Sequence, residues 1–128
     1  MSPAETVTAF LAMWKRPGGF AQSLRDCFAP DAVYENVGLS RTVGAEAAIA
    51  WLSDSGADPA TFAMEADTQA MAAVGNRVLT ERIDYILGPD GGRVATFPVM
   101  GIFEVADGKI AAWRDYFDTA GHSGQQEG

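Results

Sequence analysis

Arg82 and Asp84 stand two residues apart in a β-rich stretch, so on a strand their side chains leave the same face, with Thr80 and Ile86 as neighbours. The opposite face, Leu79, Ile83 and Tyr85, is apolar apart from Glu81. Asp115 lies between Trp113 and Phe117 on one face of a later β-rich run, which puts a carboxylate among aromatic rings. A carboxylate in that setting needs a partner, or it stays protonated. Tyr34 and Asn36 repeat the two-residue spacing and offer a phenol and an amide side by side. Each pair alone is common background, because an Arg-x-Asp on a strand is usually a structural or solvated ion pair. Taken together, these five side chains are of the types that hold, take and give protons.

Other chemistries find no support in the residue types. The one histidine, His122, falls in a small, polar C-terminal stretch, and the one cysteine, Cys27, joins Phe20, Leu24 and Phe28 in a pattern that reads as a buried helix face. No nucleophile–histidine–carboxylate triad can be drawn from them, and no metal-ligand set either, so no metal site is expected. Gly91-Gly92 reads as a turn, with no phosphate-loop pattern around it. Trp14, Trp51 and Trp113 fall on apolar faces and are expected in the core or a pocket wall.

The elements that must position these residues can be read from periodicity and punctuation. Ser2, Pro3 and Glu5 form a capping-box pattern ahead of Val7, Phe10, Leu11 and Trp14 at helical spacing, and Pro17-Gly18-Gly19 ends that helix. A second helix is expected over about residues 20–28, stopping at Pro30, followed by a strand over 32–37. A third helix over 44–53 could roof a core. Thereafter the pattern is β, over about 61–66, 68–74, 77–87, 94–105 and 110–117. Gly88-Pro89-Asp90-Gly91-Gly92 and Ala106-Asp107-Gly108-Lys109 are hairpin turns, so three of these strands should form a meander. Helices first and antiparallel strands afterwards make an α+β domain over residues 1–118, with 119–128 a polar, frayed tail.

At 128 residues and 48% hydrophobic content the chain suits one domain with a real core. Nine Lys+Arg against seventeen Asp+Glu give a net charge of −8, which repels phosphate backbones and anionic membrane surfaces, so no nucleic-acid or membrane partner is expected. No run approaches the ~18 apolar residues of a membrane span, and with a lone cysteine a reducing, cytoplasmic setting is the default expectation.

The stretch Leu79-Thr80-Glu81-Arg82-Ile83-Asp84, the later Gly101-Ile102-Phe103-Glu104-Val105 with Asp107-Gly108-Lys109-Ile110, and Trp113-Arg114-Asp115-Tyr116-Phe117-Asp118 resemble the limonene-1,2-epoxide hydrolase family. Tyr34-Glu35-Asn36 looks like that family's water-binding pair, and the resemblance runs from the first helix to Asp118. It implies helices packed on a strongly curved, mostly antiparallel mixed sheet, the cone-shaped nuclear-transport-factor-2-like fold, as a homodimer. It also implies direct addition of water to a small apolar epoxide, terpene-like or cyclic, giving a vicinal diol without cofactor or covalent intermediate. By the same resemblance Asp115 is the general base, Asp84 the general acid, Arg82 the bridge between them, and Tyr34 and Asn36 the holders of the water. Met13, Ile86, Val99 and Phe117 are then pocket walls. For the dimer, Tyr85, Ile102 and Trp113 are contact candidates.

Such a triad suits the reaction. With both carboxyls ionised it carries one net negative charge in an apolar pocket, and one added proton makes it neutral, which burial favours. An acid and a base then coexist at one pH. Competing readings share the fold: a ketosteroid-type isomerase, a polyketide or epoxide cyclase, or a non-catalytic protein that binds an apolar ligand.

Overall fold

The computed structural model describes residues 1–120, so His122 and most of the expected tail lie outside the described residues. The helices are α1 (Pro3–Ala12), α2 (Gly19–Cys27) and α3 (Ala45–Asp54), and the strands are β1 (Phe28–Asn36), β2 (Ser40–Val43), β3 (Ala63–Val74), β4 (Arg77–Leu87), β5 (Arg93–Ala106) and β6 (Lys109–Tyr116). This is the α+β arrangement expected from the sequence.

Ser2 caps α1 through the reciprocal pair its spacing implies: the Glu5 amide donates to Ser2 Oγ at 3.1 Å, and the Ser2 amide donates to Glu5 Oε1 at 2.8 Å. Thr6, Val7, Phe10 and Leu11 form its buried face. The helix ends at Ala12, earlier than Pro17 suggests, because the chain tightens into a 3-10 turn over Met13–Lys15 that drives Trp14 inward. Arg16 is then extended, as the residue before a proline prefers. Gly18 follows at φ +75°, where a side chain would also press on the Ala60 carbonyl. In α2, Phe20, Ala21 and Leu24 are buried, but Cys27 is only half-buried, a correction to the fully buried role its pattern suggested. Its position in the last turn of α2 leaves the sulfur at the margin of the core.

Three differences concern strands. Phe28 begins β1 directly after α2, and Pro30 sits inside that strand; it is tolerated because the pairing of β1 with β6 breaks between Phe28 and Val33. The short, polar β2 pairs antiparallel with β1 and has no apolar run to announce it. The two expected segments 61–66 and 68–74 are one strand, β3, with a register shift between Thr68 and Ala70 that absorbs the interruption.

The sheet order is β2-β1-β6-β5-β4-β3. β1 and β6 run parallel and every other neighbouring pair is antiparallel, so the meander includes four strands, β3 to β6. Phe10, Trp14, Phe20 and Leu24 from the helical side pack with Val78, Phe103, Ile110 and Trp113 from the sheet to form the core. Ala48, Ile49 and Leu52 of α3 close it from above. Among the described residues, no helix is long and apolar enough to cross a membrane.

Candidate active site

Strand register builds the site. Asn36 on β1 pairs with Asp115 on β6, Asp115 with Gly101 on β5, and Gly101 with Thr80 on β4, so these four positions form one rung across the inner face. Arg82 and Asp84 follow Thr80 along β4 at the two-residue spacing that keeps them on that face. Nothing fills the rung at Gly101, and the Arg82 side chain lies back through that gap to reach β6. A Cβ on Gly101 would collide with Arg82 Nη1 and Asp115 Oδ1.

Arg82 is the hub. Its Nε donates to Asp84 Oδ1 at 3.0 Å and its Nη2 to Asp84 Oδ2 at 2.8 Å, while Nη2 also donates to Asp115 Oδ2 at 2.9 Å. Nη1 donates to Thr80 Oγ1 at 2.8 Å, and the Thr80 hydroxyl donates onward to the Gly101 carbonyl at 3.1 Å. The guanidinium carbon lies 5.8 Å from the ring centres of both Trp14 and Phe103, a cation–π setting. Arg82 is 1% exposed and both aspartates 4%, so the ion pairs are screened from bulk water.

Asp115 carries a second hydrogen bond, from Trp113 Nε1 to Oδ1 at 2.7 Å. Burial pushes its carboxyl above the ordinary range, and the nearby Arg82 charge and the donated hydrogen bonds oppose that push without cancelling it. For Arg82, burial works against the charge, but Asp115 and Asp84 outweigh it, so the guanidinium is held protonated more firmly than usual. Tyr34 and Asn36 are buried beside this group, with the Tyr34 hydroxyl donating to Asn36 Oδ1 at 3.4 Å and Asn36 Nδ2 donating to Ser40 Oγ at 3.0 Å. Burial, reinforced by the Asp115 charge, pushes the Tyr34 phenol up, which keeps it a neutral donor.

A cavity of about 690 Å³ opens over these residues. Tyr34, Asn36, Asp84 and Asp115 line it together with a mostly apolar wall that includes Phe20, Trp51, Phe62 and Phe97. Ile86, Val99 and Phe117 line it as expected from the sequence. Met13 does not. It follows α1 at the start of the 3-10 turn, with its sulfur 3.9 Å from Cys27 Sγ, and since the adjacent Trp14 turns inward, Met13 points elsewhere. Thr80 and Gly101 are the working residues that sequence reasoning left without a role. A glycine inside a strand pattern signals close approach of another group, and that was the available clue to Gly101.

A sequence model of the limonene-1,2-epoxide hydrolase catalytic domain matches residues 1–122. The chain belongs to the limonene-1,2-epoxide hydrolase family. Epoxide hydrolase EphG of Mycobacterium tuberculosis strain H37Rv is 43% identical over 89 residues, which cover 69% of this chain and 56% of that protein. The match thus spans about half the length of that relative. The solved structure of an M. tuberculosis limonene-epoxide-hydrolase-like epoxide hydrolase superposes with a TM-score of 0.72 at 36% identity, covering 91% of this chain and 83% of that one. An NTF2-like protein of unknown function from Cytophaga hutchinsonii, 14% identical with a TM-score of 0.71 over 96% of each chain, shares the fold. In this family member the resemblance read from Arg82, Asp84 and Asp115 therefore agrees with the match over nearly the whole chain.

Proposed function

We propose that the chain adds water directly to a small, apolar epoxide, terpene-like or cyclic, and releases a vicinal diol without cofactor or covalent enzyme intermediate. One observation carries the reading: a buried guanidinium bonded to two carboxylates that both line an apolar cavity. Opening an epoxide with water needs a better nucleophile and a better leaving group at the same pH. With one proton shared in the triad, one carboxyl serves as base and the other as acid.

Asp115 takes a proton from a water held with Tyr34 and Asn36, the water oxygen bonds to a ring carbon, and the ring carbon–oxygen bond breaks. Asp84 gives its proton to the departing ring oxygen. The proton gained by Asp115 then returns to Asp84 before the next turnover, with Arg82 holding both groups in reach. General acid and general base contribute roughly 10²- to 10⁴-fold each, and orientation of the water adds to this. The mostly apolar lining, with no Lys or Arg in it, favours an uncharged substrate. Residues 1–118 are the working unit in this reading, as a homodimer in a reducing, cytoplasmic setting where Cys27 stays unpaired.

Single-turnover incubation with limonene oxide and cyclohexene oxide in isotopically heavy water tests the reaction. Heavy oxygen in the first-turnover diol supports direct attack by water; unlabelled diol would mean that an enzyme carboxylate attacked. A folded protein that yields no diol from a panel of epoxides would favour ligand binding or isomerisation instead.

A further inference from the structure

Two adjacent rungs of the sheet bear on the same reaction. Beside the polar rung lies an aromatic one, in which Tyr34 on β1 pairs with Trp113 on β6 and Trp113 with Phe103 on β5. The three rings stack across the strands: Tyr34 lies 4.0 Å from Trp113 at an interplanar angle of 9°, and Phe103 lies 5.4 Å away at 16°. Phe10 closes the remaining edge at 5.2 Å and 83°, and Trp113 is 1% exposed. A ring packed on two faces and an edge has a fixed plane, and so its N–H has a fixed direction.

That N–H ends on Asp115 Oδ1 at 2.7 Å, while Arg82 holds Oδ2 at 2.9 Å. Each carboxylate oxygen therefore has its own donor, and the carboxylate cannot rotate without losing one of them. We infer that Trp113 is a positioning residue of the reaction, its edge orienting the base Asp115 and its face orienting the water-holding Tyr34. The inference rests on the epoxide-hydrolysing reading of the site and extends it to a residue of the cavity wall that acts through Asp115 and Tyr34.

A hydrogen bond to the ionised form favours that form, so losing the N–H should make Asp115 easier to protonate. The charged and titratable groups facing Asp115 are Arg82 and Asp84 from β4 and Tyr34 from β1. The β5 positions Val99, Gly101 and Phe103, and Trp14 from the turn after α1, bring none.

Replacing Trp113 by benzothienylalanine puts sulfur in place of the N–H and keeps the ring shape; Trp113→Phe is the genetic counterpart. The expected result is a fall in kcat of about ten-fold or more with KM little changed, and an acid limb of the kcat/KM profile displaced to higher pH. A merely structural Trp113 would leave that limb in place. An unmoved limb with kcat within two-fold, in a benzothienylalanine variant that melts like the parent, would overturn the inference. Carbon NMR of the Asp115 carboxyl reads the same hydrogen bond without substrate. A parent inactive on every epoxide would therefore sink the hydrolase reading alone, while an Asp115 titration unchanged in the variant would sink this one.

Discussion

Arg82 shows why residue type matters more than charge at this site. Its planar fork meets Asp84 with two donors, Asp115 with one and Thr80 with one, all in directions that a lysine ammonium on a flexible stem cannot reproduce together. Arg82→Lys should therefore lower kcat/KM on the order of 100-fold while leaving the fold intact, and a rate within a few-fold of the parent would remove the bridging role. Gly101→Ala should be as damaging for the opposite reason, an atom gained. Gly101 has no positive φ that would bar alanine, so the strand tolerates the change and only the space held by Arg82 and Asp115 forbids it. We expect about a 100-fold loss of kcat/KM with the β-sheet circular dichroism unchanged. The pH profile carries a sign. Burial raises the Asp115 carboxyl, and a base works only when unprotonated, so the acid limb of kcat/KM should lie above the ordinary carboxylate range. The linked stability runs the other way: a raised folded-state value gives a contribution fully present below the unfolded value and lost as pH rises through the folded one. An acid limb at or below the ordinary range would show that Asp115 is not the limiting base.

At the scale of elements, the strand period made Arg82 with Asp84 and Tyr34 with Asn36 legible, because i and i+2 share a face whatever the strand's neighbours are. The join between them was not legible locally. Arg82 and Asp115 are separated by 33 residues and meet only because β5 lies between β4 and β6 with a glycine at the shared rung, and that pairing is tertiary information. For the same reason β2 escaped notice: Ser40, Arg41 and Thr42 look like a loop until β1 supplies a partner. Pro30 looked like the stop of the second helix and Asp67 like the end of a strand, but a lapse in pairing near the first and a bulge beside the second carry β1 and β3 through. Met13 was placed on the pocket wall by the family resemblance, but the chain tightens after Ala12 and it is Trp14 that reaches the cavity. The capping box was read correctly, and it makes an element-scale prediction. Ser2→Ala removes the acceptor for the Glu5 amide and should cost about 1 kcal/mol, lowering the thermal midpoint by about 3–5 °C with kcat unchanged. No shift would mean that α1 is held by its packing alone.

For the whole molecule, the question is what covers the outer face of the sheet. The expected contact set needs one correction: Trp113 is fully buried on the inner face and cannot serve, whereas Ile102 lies on the outer one. Leu79 pairs with Ile102, and Met100 with Tyr116, so four apolar side chains adjoin across β4, β5 and β6; Leu79, Met100 and Tyr116 are exposed. Beside them Arg114 is ion-paired with Glu104 at 2.9 Å, which limits the free charge there. Two copies meeting on this face would each bring a net charge of −8, and that long-range repulsion is screened by salt while apolar burial is not. The homodimer we propose should therefore tighten as ionic strength rises, the reverse of an association held by surface ion pairs. Sedimentation of the 13.6 kDa chain over a salt series should give twice the monomer mass, with dissociation favoured at low salt. Leu79→Asp combined with Met100→Asp, placing charges at the centre of the patch, should give a folded monomer. A parent that sediments as a monomer at every salt concentration, or a double variant that remains dimeric, would move the contact off this face.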